Sequence, residues 1–477
     1  MKKSYTDSFF DVGSKYGFLP NNHPLTSLPN RYNSLQRLLD NMPVKLSDGS
    51  NGYLAIPNKI ENEVERLPNY IDLVKKESEI LIIQALYRAY CFLTSAYTLE
   101  LSYQEFVKTK KYGKARQILP KQVAQPFVCV AEKLDVYPWL DYHYAYSLGN
   151  YRFLDKSKGF HWSNLDQCVK FSGTSDESGF IMNHVDINQH SPKLVESVLE
   201  SLKAIKDNDQ EKLNENLKQN FHSMVFVNDR RKDMWVASRW KHYNDFRIFI
   251  MGIKGNNEIF DDGLVYQGVW DEPKQYRGQT GAQDNIIPME DIFSGVINFY
   301  PDNQLTKYLL DLRKYRPKCI QNFFVDLKQD IDSIHGGSIF NFLKSSQNSV
   351  GMCYLLAIVE EIYKFRNGHW QFVQKYIMSN TKYAKATGGT PIISWIPNQI
   401  KSVLNFIDVI LHELQSMDKD FDNKQNEFFI NSLNTYKSKK KLLDKQLIVV
   451  SDANYNPGKV FELNKKFKLE DSNFEKK

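Results

Sequence analysis

Residues 352–379 constrain the fold most, because their apolar side chains recur at the spacing of one face of a long helix. Positions three, four and seven residues apart share a face of an α-helix. On this face lie Leu355, Val359, Ile362, Arg366, His369, Phe372, Val373 and Tyr376. Such a helix must pack its stripe against a core, so the imidazole of His369 is predicted to point inward.

Two interpretations of His369 remain open at this point. A single histidine on an apolar helix face is commonly a hydrogen-bonded core residue, and His412 in residues 398–417 shows the same pattern. Alternatively, Arg366 lies one turn before His369, and the pair could offer a metal ligand and an anion partner to one bound molecule. Haem has an iron atom and two propionates and could use both.

Helical spacing also dominates the rest of the chain, and strand-like alternation is confined to residues 446–450 and 459–463. We therefore predict an all-α protein. The further predicted helices are 32–41, 61–76, 79–101, 122–134, 194–206, 210–227, 235–251, 287–296, 304–315, 319–331 and 398–417.

Breaks in this pattern suggest three parts. Residues 160–179 have a weak pattern typical of a linker, which places a domain junction near residue 170. We predict a smaller, mainly helical N-terminal domain (1–170) that covers a pocket, a large helical domain (171–445) and a charged C-terminal extension (446–477). The glycine-rich residues 252–285 are too long for a simple turn and are predicted to form a functional or domain-spanning loop.

Charge and cysteine usage argue against several classes of protein. The 62 basic and 56 acidic residues are mixed along the chain, so we expect no nucleic-acid partner, and the lysine-rich residues 437–441 are interpreted as a solvated helix face or exposed tail. The five cysteines form no CxxC or CxxCH motif, which predicts a reduced, cytoplasmic protein whose haem, if present, is non-covalent. The apolar residues 80–101 are interrupted by polar side chains and predict a buried helix, so we expect no membrane span.

Three segments carry polar groups that would be costly without a partner. Residues 139–146 hold four aromatic rings and His143, and Phe180 and His184 share one face if their segment is helical. Arg247 lies among apolar residues, where an unpaired guanidinium is expensive, so a carboxylate from the protein or from a ligand is expected beside it. An aromatic content of 13% supplies flat apolar surface of the kind that lines pockets for rings.

Short motifs between about residues 119 and 400 resemble, in order and spacing, those of the indoleamine 2,3-dioxygenases. These haem enzymes open the indole ring of tryptophan with molecular oxygen. The motifs are Leu119-Pro120 through Leu134, the aromatic segment ending Ser147-Leu148-Gly149-Asn150-Tyr151, Gly179-Phe180, residues 247–252, residues 262–270, residues 312–317, residues 366–377 and Thr387-Gly388-Gly389-Thr390. The resemblance implies the two-domain helical fold of that family, with haem b held non-covalently in the larger C-terminal domain.

The resemblance also implies a role for particular residues. His369 would be the proximal ligand of the haem iron, and Arg366 would be a partner of a haem propionate. Thr280, also assigned to the haem site, would lie in the loop that edges the pocket entrance. The substrate would meet Arg247 through its carboxylate and Phe180 through its indole ring. The remaining implied substrate contacts are His143, Tyr243, Thr387, Gly388 and Thr390, the last three in a mobile lid over residues 386–390.

Two positions depart from the animal members of the family. This chain has His184 where they carry a distal serine, and His143 where they carry a pocket tyrosine. A distal histidine is similar to that of the tryptophan 2,3-dioxygenases and of bacterial members. Such a residue could act in catalysis either by donating to iron-bound oxygen or by accepting from the indole N–H.

The implied reaction adds O2 across the C2–C3 bond of L-tryptophan, or of another indoleamine, to give N-formylkynurenine on the kynurenine pathway of tryptophan catabolism. It implies a monomer served by an electron donor that keeps the iron ferrous. Three alternatives remain: a related haem enzyme of indole secondary metabolism, an O2-binding haem protein without turnover, and a helical scaffold without haem. An oxygen carrier needs neither Arg247 nor the lid, and both are present.

Overall fold

The computed structural model describes residues 4–379, 387, 392–450, 462 and 466. Its secondary structure is overwhelmingly helical, which confirms the predicted all-α fold. The α-helices of these residues are α1 (Asn33–Asn41), α2 (Lys59–Glu65), α3 (Ile71–Lys76), α4 (Ile80–Thr109), α5 (Lys121–Lys133), α6 (Ser175–Asn188), α7 (Ser191–Lys206), α8 (Gln210–Lys232), α9 (Met234–Ala237), α10 (Asn244–Arg247), α11 (Asn257–Phe260), α12 (Ile286–Ser294), α13 (Gln304–Leu312), α14 (Lys318–Asp332), α15 (Ile339–Ser345), α16 (Ser349–Phe372), α17 (Ile392–Ser416) and α18 (Asn423–Val450).

Two small sheets complete the described secondary structure. Strand β1 (Ile118–Leu119) pairs in parallel with β4 (Val265–Tyr266), with Ile118 opposite Val265. Strand β2 (Tyr151–Phe153) pairs antiparallel with β3 (Leu165–Gln167). These pairs tie loops to the helical body, and a shared core of buried apolar side chains extends from Phe9 to Leu443. The predicted junction near residue 170 stays a prediction.

Helix α4 is the buried helix that the sequence predicts, and it is buried over most of its length. By length and composition it could cross a membrane, with a mean hydropathy of 1.2 over its most apolar window. However, 89% of that window lies inside the protein. A helix that is apolar on all sides is equally typical of a protein core. Cys91 on α4 and Cys353 on α16 are both buried.

Helix α16 confirms most of the helix predicted over residues 352–379, but the last part of that range is π-helical. The side chain of Asn348 caps its first turn by accepting from the N–H of Gly351 at 2.7 Å. Beyond Phe372 the chain continues as a π-helical segment, Val373–Met378. A π-turn shifts the side-chain positions relative to a regular helix and is frequent at functional sites. By contrast, His412 is exposed on α17, so its interpretation as a core histidine is wrong.

The predicted helix at 235–251 is wrong in its continuity. The structure breaks it into α9, a 3₁₀ turn (Trp240–His242), α10 and a second 3₁₀ turn (Ile248–Ile250). The first break comes at Ser238, whose backbone is extended. Immediately afterwards, the N–H of Arg239 donates to the carboxylate of Asp176 at 2.7 Å instead of to a helix carbonyl. A tertiary partner therefore replaces the helical hydrogen bond.

Residues 160–179 are not simply a linker, since β3 and the start of α6 lie within them. The hydroxyl of Thr174 caps α6 by accepting from the N–H of Glu177 at 3.3 Å. The Glu177 carboxylate turns back to accept from the N–H groups of Phe171 and Ser172. The sequence Thr174-x-x-Glu177 has the spacing of a helix-capping box, which is the signal that this interpretation overlooked.

The predicted strand at 446–450 is also wrong, because these residues end helix α18. Gln446 is buried there, and its side-chain oxygen accepts from the indole N–H of Trp370 at 3.2 Å. The boundary predicted at residue 445 thus falls inside a helix. The predicted strand 459–463 lies outside the described residues apart from Glu462, which is helical.

The lysine-rich residues 437–441 form an exposed helix face with one exception. Lys439 is only 9% exposed, and its Nζ donates to both carboxylate oxygens of Glu360 at 2.8 and 2.6 Å. Glu360 is 2% exposed and belongs to α16. This buried ion pair joins the C-terminal helix to the helix of His369.

We expect Lys439→Ala to destabilise the protein by about 3–5 kcal/mol, because it leaves the Glu360 carboxylate buried without its cation. The free energy of unfolding would be measured by urea denaturation. The exposed neighbour gives a matched control, since Lys440→Ala should change it by less than about 0.5 kcal/mol. Equal effects of the two substitutions would show that the pair does not stabilise the fold.

Candidate active site

A deep cavity lies between α6, α16 and the loop that precedes α12. Its lining is mainly apolar and aromatic, with several cationic and imidazole groups among the rings. The lining includes Phe180, His184, Arg231, Tyr243, Ile250, Thr280, Asp284, Asp291, Tyr300, Arg313, Arg316, Arg366, His369, Phe372, Val373, Tyr376, Ile377 and Thr387. An apolar cavity with a few convergent polar groups is the usual form of a small-molecule site.

His369 faces this cavity from the last turns of α16, as the sequence predicts. Burial, together with the neighbouring His184 and Arg231, lowers the pKa of His369 to about 4. The ring is therefore neutral near pH 7 and keeps a nitrogen lone pair, which is the form in which imidazole binds a metal. Gly368 beside it leaves room for the Arg231 guanidinium, which a Cβ at that position would overlap.

His184 and Phe180 face the cavity from α6, one helical turn apart, with ring centroids 5.6 Å from each other. Phe180 also packs on Tyr243, so that three rings form one wall. Burial lowers the pKa of His184, and the charge of Asp284 opposes that shift. Nδ1 of His184 lies 3.4 Å from the hydroxyl of Tyr142. Phe180 and His184 therefore share one face of α6, as the sequence predicts, and the role of His184 toward a haem ligand stays a prediction.

Tyr142 is held by a short π-helical turn, Tyr142–Tyr146, inside the aromatic segment that the sequence singles out. The carboxylate of Asp141 caps this turn by accepting from the N–H groups of His143, Tyr144 and Ala145 at 2.8–3.1 Å. Burial raises the pKa of Asp141 to about 7, and these hydrogen bonds oppose the rise. The rings of this segment are accordingly fixed by backbone capping.

The loop before α12 brings Thr280 and Asp284 to the cavity. The N–H of Ala282 donates to the Thr280 hydroxyl at 3.4 Å, which caps a 3₁₀ turn. Arg316 is 1% exposed and anchors the loop, since it donates to the carbonyl oxygens of Ala282 and Asp284 at 3.2 and 2.9 Å. The predicted loop 252–285 therefore contributes directly to the site.

Besides Arg316, three further arginines line the cavity: Arg231, Arg313 and Arg366. Arg366 forms a buried ion pair with Asp291 at 2.5 Å and also donates to the Tyr300 hydroxyl at 2.9 Å. Arg231 stacks on the rings of Phe365 and Phe372. Arg313 shares the cavity wall, and burial lowers its pKa. Of these three, the sequence assigned a role to Arg366 alone. Arg313 lies in the motif 312–317 without an assigned role, and nothing in the local pattern separates Arg231 from surface arginines.

Thr387 is the described part of the predicted lid. It lines the cavity, its hydroxyl donates to the carbonyl of Gln279 at 2.7 Å, and its own carbonyl accepts from the N–H of Gly252 at 2.7 Å. Gly252 and Gly278 permit this close approach, because a Cβ on either would meet backbone atoms at under 3 Å. Gly388 and Thr390 lie outside the described residues.

Two predicted substrate contacts lie behind the wall of the cavity. Arg247 is fully buried, and its guanidinium donates to the Tyr112 hydroxyl at 2.9 Å. Burial raises the pKa of the Tyr243 hydroxyl to about 12, and the charge of Arg247 opposes that rise. Tyr243 itself lines the cavity. His143 is fully buried, with Nε2 3.2 Å from the side-chain oxygen of Asn285. Their roles toward a substrate stay predictions.

The side chains that line this cavity can be matched to the three parts of a haem group: its iron, its propionates and its flat ring. A neutral imidazole on α16 can bind iron, the arginines near it can meet propionates, and the rings and aliphatic side chains suit a flat macrocycle. His184 lies on a different wall, carried by α6. The residues present fit the group. The fold is all-α, and the chemistry of its cavity suits a haem group.

Comparison with known proteins gives the family. The sequence model of indoleamine 2,3-dioxygenase matches residues 6–392, and the chain belongs to the indoleamine 2,3-dioxygenase family. It is 24% identical to an indoleamine 2,3-dioxygenase 1 of Rattus norvegicus over 81% of this chain and 92% of the relative. It is 25% identical to an indoleamine 2,3-dioxygenase 2 of Homo sapiens over 80% and 86%, respectively. It is 22% identical to a 6-hydroxytryptophan 2,3-dioxygenase of Fusarium equiseti over 77% and 84%.

The buried ring of His143 makes stability depend on pH. Burial, with the charge of Arg316, lowers its pKa from 6.5 to about 3, and Asn285 opposes the shift. Below pH 6.5 the unfolded chain therefore binds more protons than the folded one. The free energy of unfolding falls as the pH drops from 6.5 towards 3, and above 6.5 this contribution is constant.

We expect His143→Gln to remove this part of the acid sensitivity, about 1.4 kcal/mol per pH unit, in urea denaturation at several pH values between about 4 and 7. The exposed His335 gives the control, because His335→Gln should keep the slope of the parent protein. A His143→Gln protein with the parent slope would contradict the assignment.

Proposed function

We propose that the chain is a haem-dependent dioxygenase that adds both atoms of O2 across the indole C2–C3 bond of L-tryptophan and releases N-formylkynurenine. The observation that carries the proposal is one apolar cavity with His369 on α16 and the Phe180–His184 pair on α6. Membership of the indoleamine 2,3-dioxygenase family supports the dioxygenase chemistry.

In this proposal His369 would hold the iron of a non-covalent haem b, and Arg231, Arg313 and Arg366 would be the cations near it. Haem, when bound, supplies the redox-active iron that activates dioxygen. Arg366 already pairs with Asp291, so it would share its guanidinium between that carboxylate and a propionate. Arg313 lies near the same carboxylate, since the charges of Asp291 and Tyr300 oppose the lowering of its pKa by burial.

The protein's own contribution is to orient the substrate and exclude water. Phe180 and Tyr243 offer ring faces for an indole, and His184 offers a polar atom beside them. Arg247 would meet the carboxylate through a movement of the Tyr243 wall, and Thr387, Gly388 and Thr390 would close over the amine. Holding the reacting atoms in place in this way can contribute several kcal/mol to catalysis.

The nature of the indole and the setting of the reaction form the finer part of the proposal. The name of the Fusarium equiseti relative gives 6-hydroxytryptophan as its substrate, so ring-substituted tryptophans are the natural competitors to test. We propose L-tryptophan as the preferred indole, tryptophan catabolism as the pathway, and a cytoplasmic monomer that depends on an external electron donor.

The reaction is tested by mixing reduced protein, L-tryptophan and air, and following the absorbance of N-formylkynurenine. Its formation is expected with the parent protein. His369→Ala should lose the Soret band and turnover, because the iron loses its axial ligand. His412→Ala, an exposed histidine on α17, should keep both. A His369→Ala protein with full haem content and an unchanged spectrum would refute the ligand assignment.

Arg247 gives a separate test of substrate binding. Arg247→Ala should lower kcat/KM for L-tryptophan by about 10- to 100-fold, mainly through KM, with haem retained, because a charge-assisted hydrogen bond is lost. Arg247→Lys keeps the positive charge but lacks the two-pronged guanidinium, so its kcat/KM should lie between those of the parent protein and of Arg247→Ala. An unchanged kcat/KM in the alanine variant would exclude the carboxylate role.

A further inference from the structure

Three side chains at the edge of the cavity, His184, Tyr142 and Asp284, form a hydrogen-bonded relay, with His184 and Asp284 both lining the cavity. The Tyr142 hydroxyl lies 3.4 Å from Nδ1 of His184 and donates to the Asp284 carboxylate at 2.8 Å. Tyr142 is fully buried and Asp284 is 6% exposed. The three residues come from separate parts of the chain, and local pattern gave no sign of the contact.

The donors around Asp284 determine which way each hydrogen bond of this relay points. Its carboxylate also accepts from the side-chain amide of Asn188 at 2.8 Å and from the N–H of Ile286 at 2.9 Å. The Arg316 guanidinium holds the same loop by donating to the Asp284 carbonyl. A carboxylate surrounded by donors acts as an acceptor, so the Tyr142 hydroxyl proton points at Asp284. The hydroxyl oxygen is then left to accept from His184.

We infer that Asp284 and Tyr142 hold His184 in the Nδ1–H tautomer and leave the lone pair of Nε2 for the cavity. His184 lines the cavity, whereas its Nδ1 is engaged with Tyr142 on the outer side. The tautomer of a histidine is set by the hydrogen bond that its other nitrogen makes. Tyr142 and Asp284 are thus positioning residues, and Nε2 of His184 is a fixed hydrogen-bond acceptor.

This assignment decides between the two roles open to a distal histidine. With a lone pair at Nε2, His184 accepts a hydrogen bond from the substrate and does not donate one to a ligand on the iron. Under the proposed function, on which this step rests, the donor is the indole N–H. The relay therefore selects indoles with a free N1–H over N1-substituted ones.

The first test measures binding of L-tryptophan and 1-methyl-L-tryptophan to the haem-loaded ferric protein by calorimetry. The parent protein should prefer L-tryptophan. Asp284→Asn is nearly isosteric but brings an amide N–H towards Tyr142, so the hydroxyl proton turns to Nδ1 and Nε2 becomes a donor. The preference should fall roughly tenfold. Tyr142→Phe should lower it in the same direction.

The Tyr5–Asp326 pair supplies the matched control, because the Tyr5 hydroxyl donates to the Asp326 carboxylate at 3.0 Å and neither residue lines the cavity. Asp326→Asn and Tyr5→Phe should leave the preference unchanged. An unchanged preference in Asp284→Asn and Tyr142→Phe would overturn the relay. A parent protein that binds neither ligand would refute the proposed substrate instead.

The second test does not depend on the substrate, because it uses carbon monoxide on the ferrous haem-loaded protein. A nearby N–H donor lowers the infrared stretching frequency of bound carbon monoxide, and a lone pair does not. The parent protein should lack a low-frequency band, and Asp284→Asn should gain one. A low-frequency band in the parent protein that disappears in His184→Ala would show that Nε2 carries the proton, and would overturn the inference.

Discussion

The structure depends on one constraint, the need to give a partner to every polar group that helix α16 buries. Glu360 meets Lys439 of α18, Arg366 meets Asp291 of α12, and the Trp370 indole meets Gln446. Each unpaired group would cost several kcal/mol in a core. The pairs therefore fix the rotation of α16 about its axis, and that rotation aims His369 at the cavity.

The same need for buried partners also shapes the part of the cavity wall that carries His184 and Asp284. Arg316 satisfies carbonyl groups of the loop before α12 and so places Asp284 beside Tyr142. A buried carboxylate surrounded by donors then orders the protons of its neighbours as far as His184. On α16, buried ion pairs and hydrogen bonds set where the side chain of His369 points. At His184, we infer, the hydrogen bonds through Tyr142 also set which ring nitrogen carries the proton.

Sequence predictions failed where a distant group replaced a local one. Residues 235–251 have helical spacing, but the N–H of Arg239 bonds to Asp176 and the helix breaks. Residues 446–450 look strand-like, but Gln446 is buried against Trp370 on a helix. Lys439 belongs to a lysine-rich run that reads as solvated, yet it pairs with Glu360. A local pattern cannot show such partners, because they lie 63, 76 and 79 residues away along the chain.

The sequence by itself determined the all-α class, the apolar stripe of α16 with His369 and Arg366, and the ordered motifs of the indoleamine 2,3-dioxygenase family. These follow from periodicity and short motifs, which are local properties. Only the tertiary structure decided that Arg231 and Arg313 share the cavity, that His143 lies behind it, and that Asp284 reaches His184 through Tyr142. Such contacts join segments far apart in the chain, and only packing brings them together.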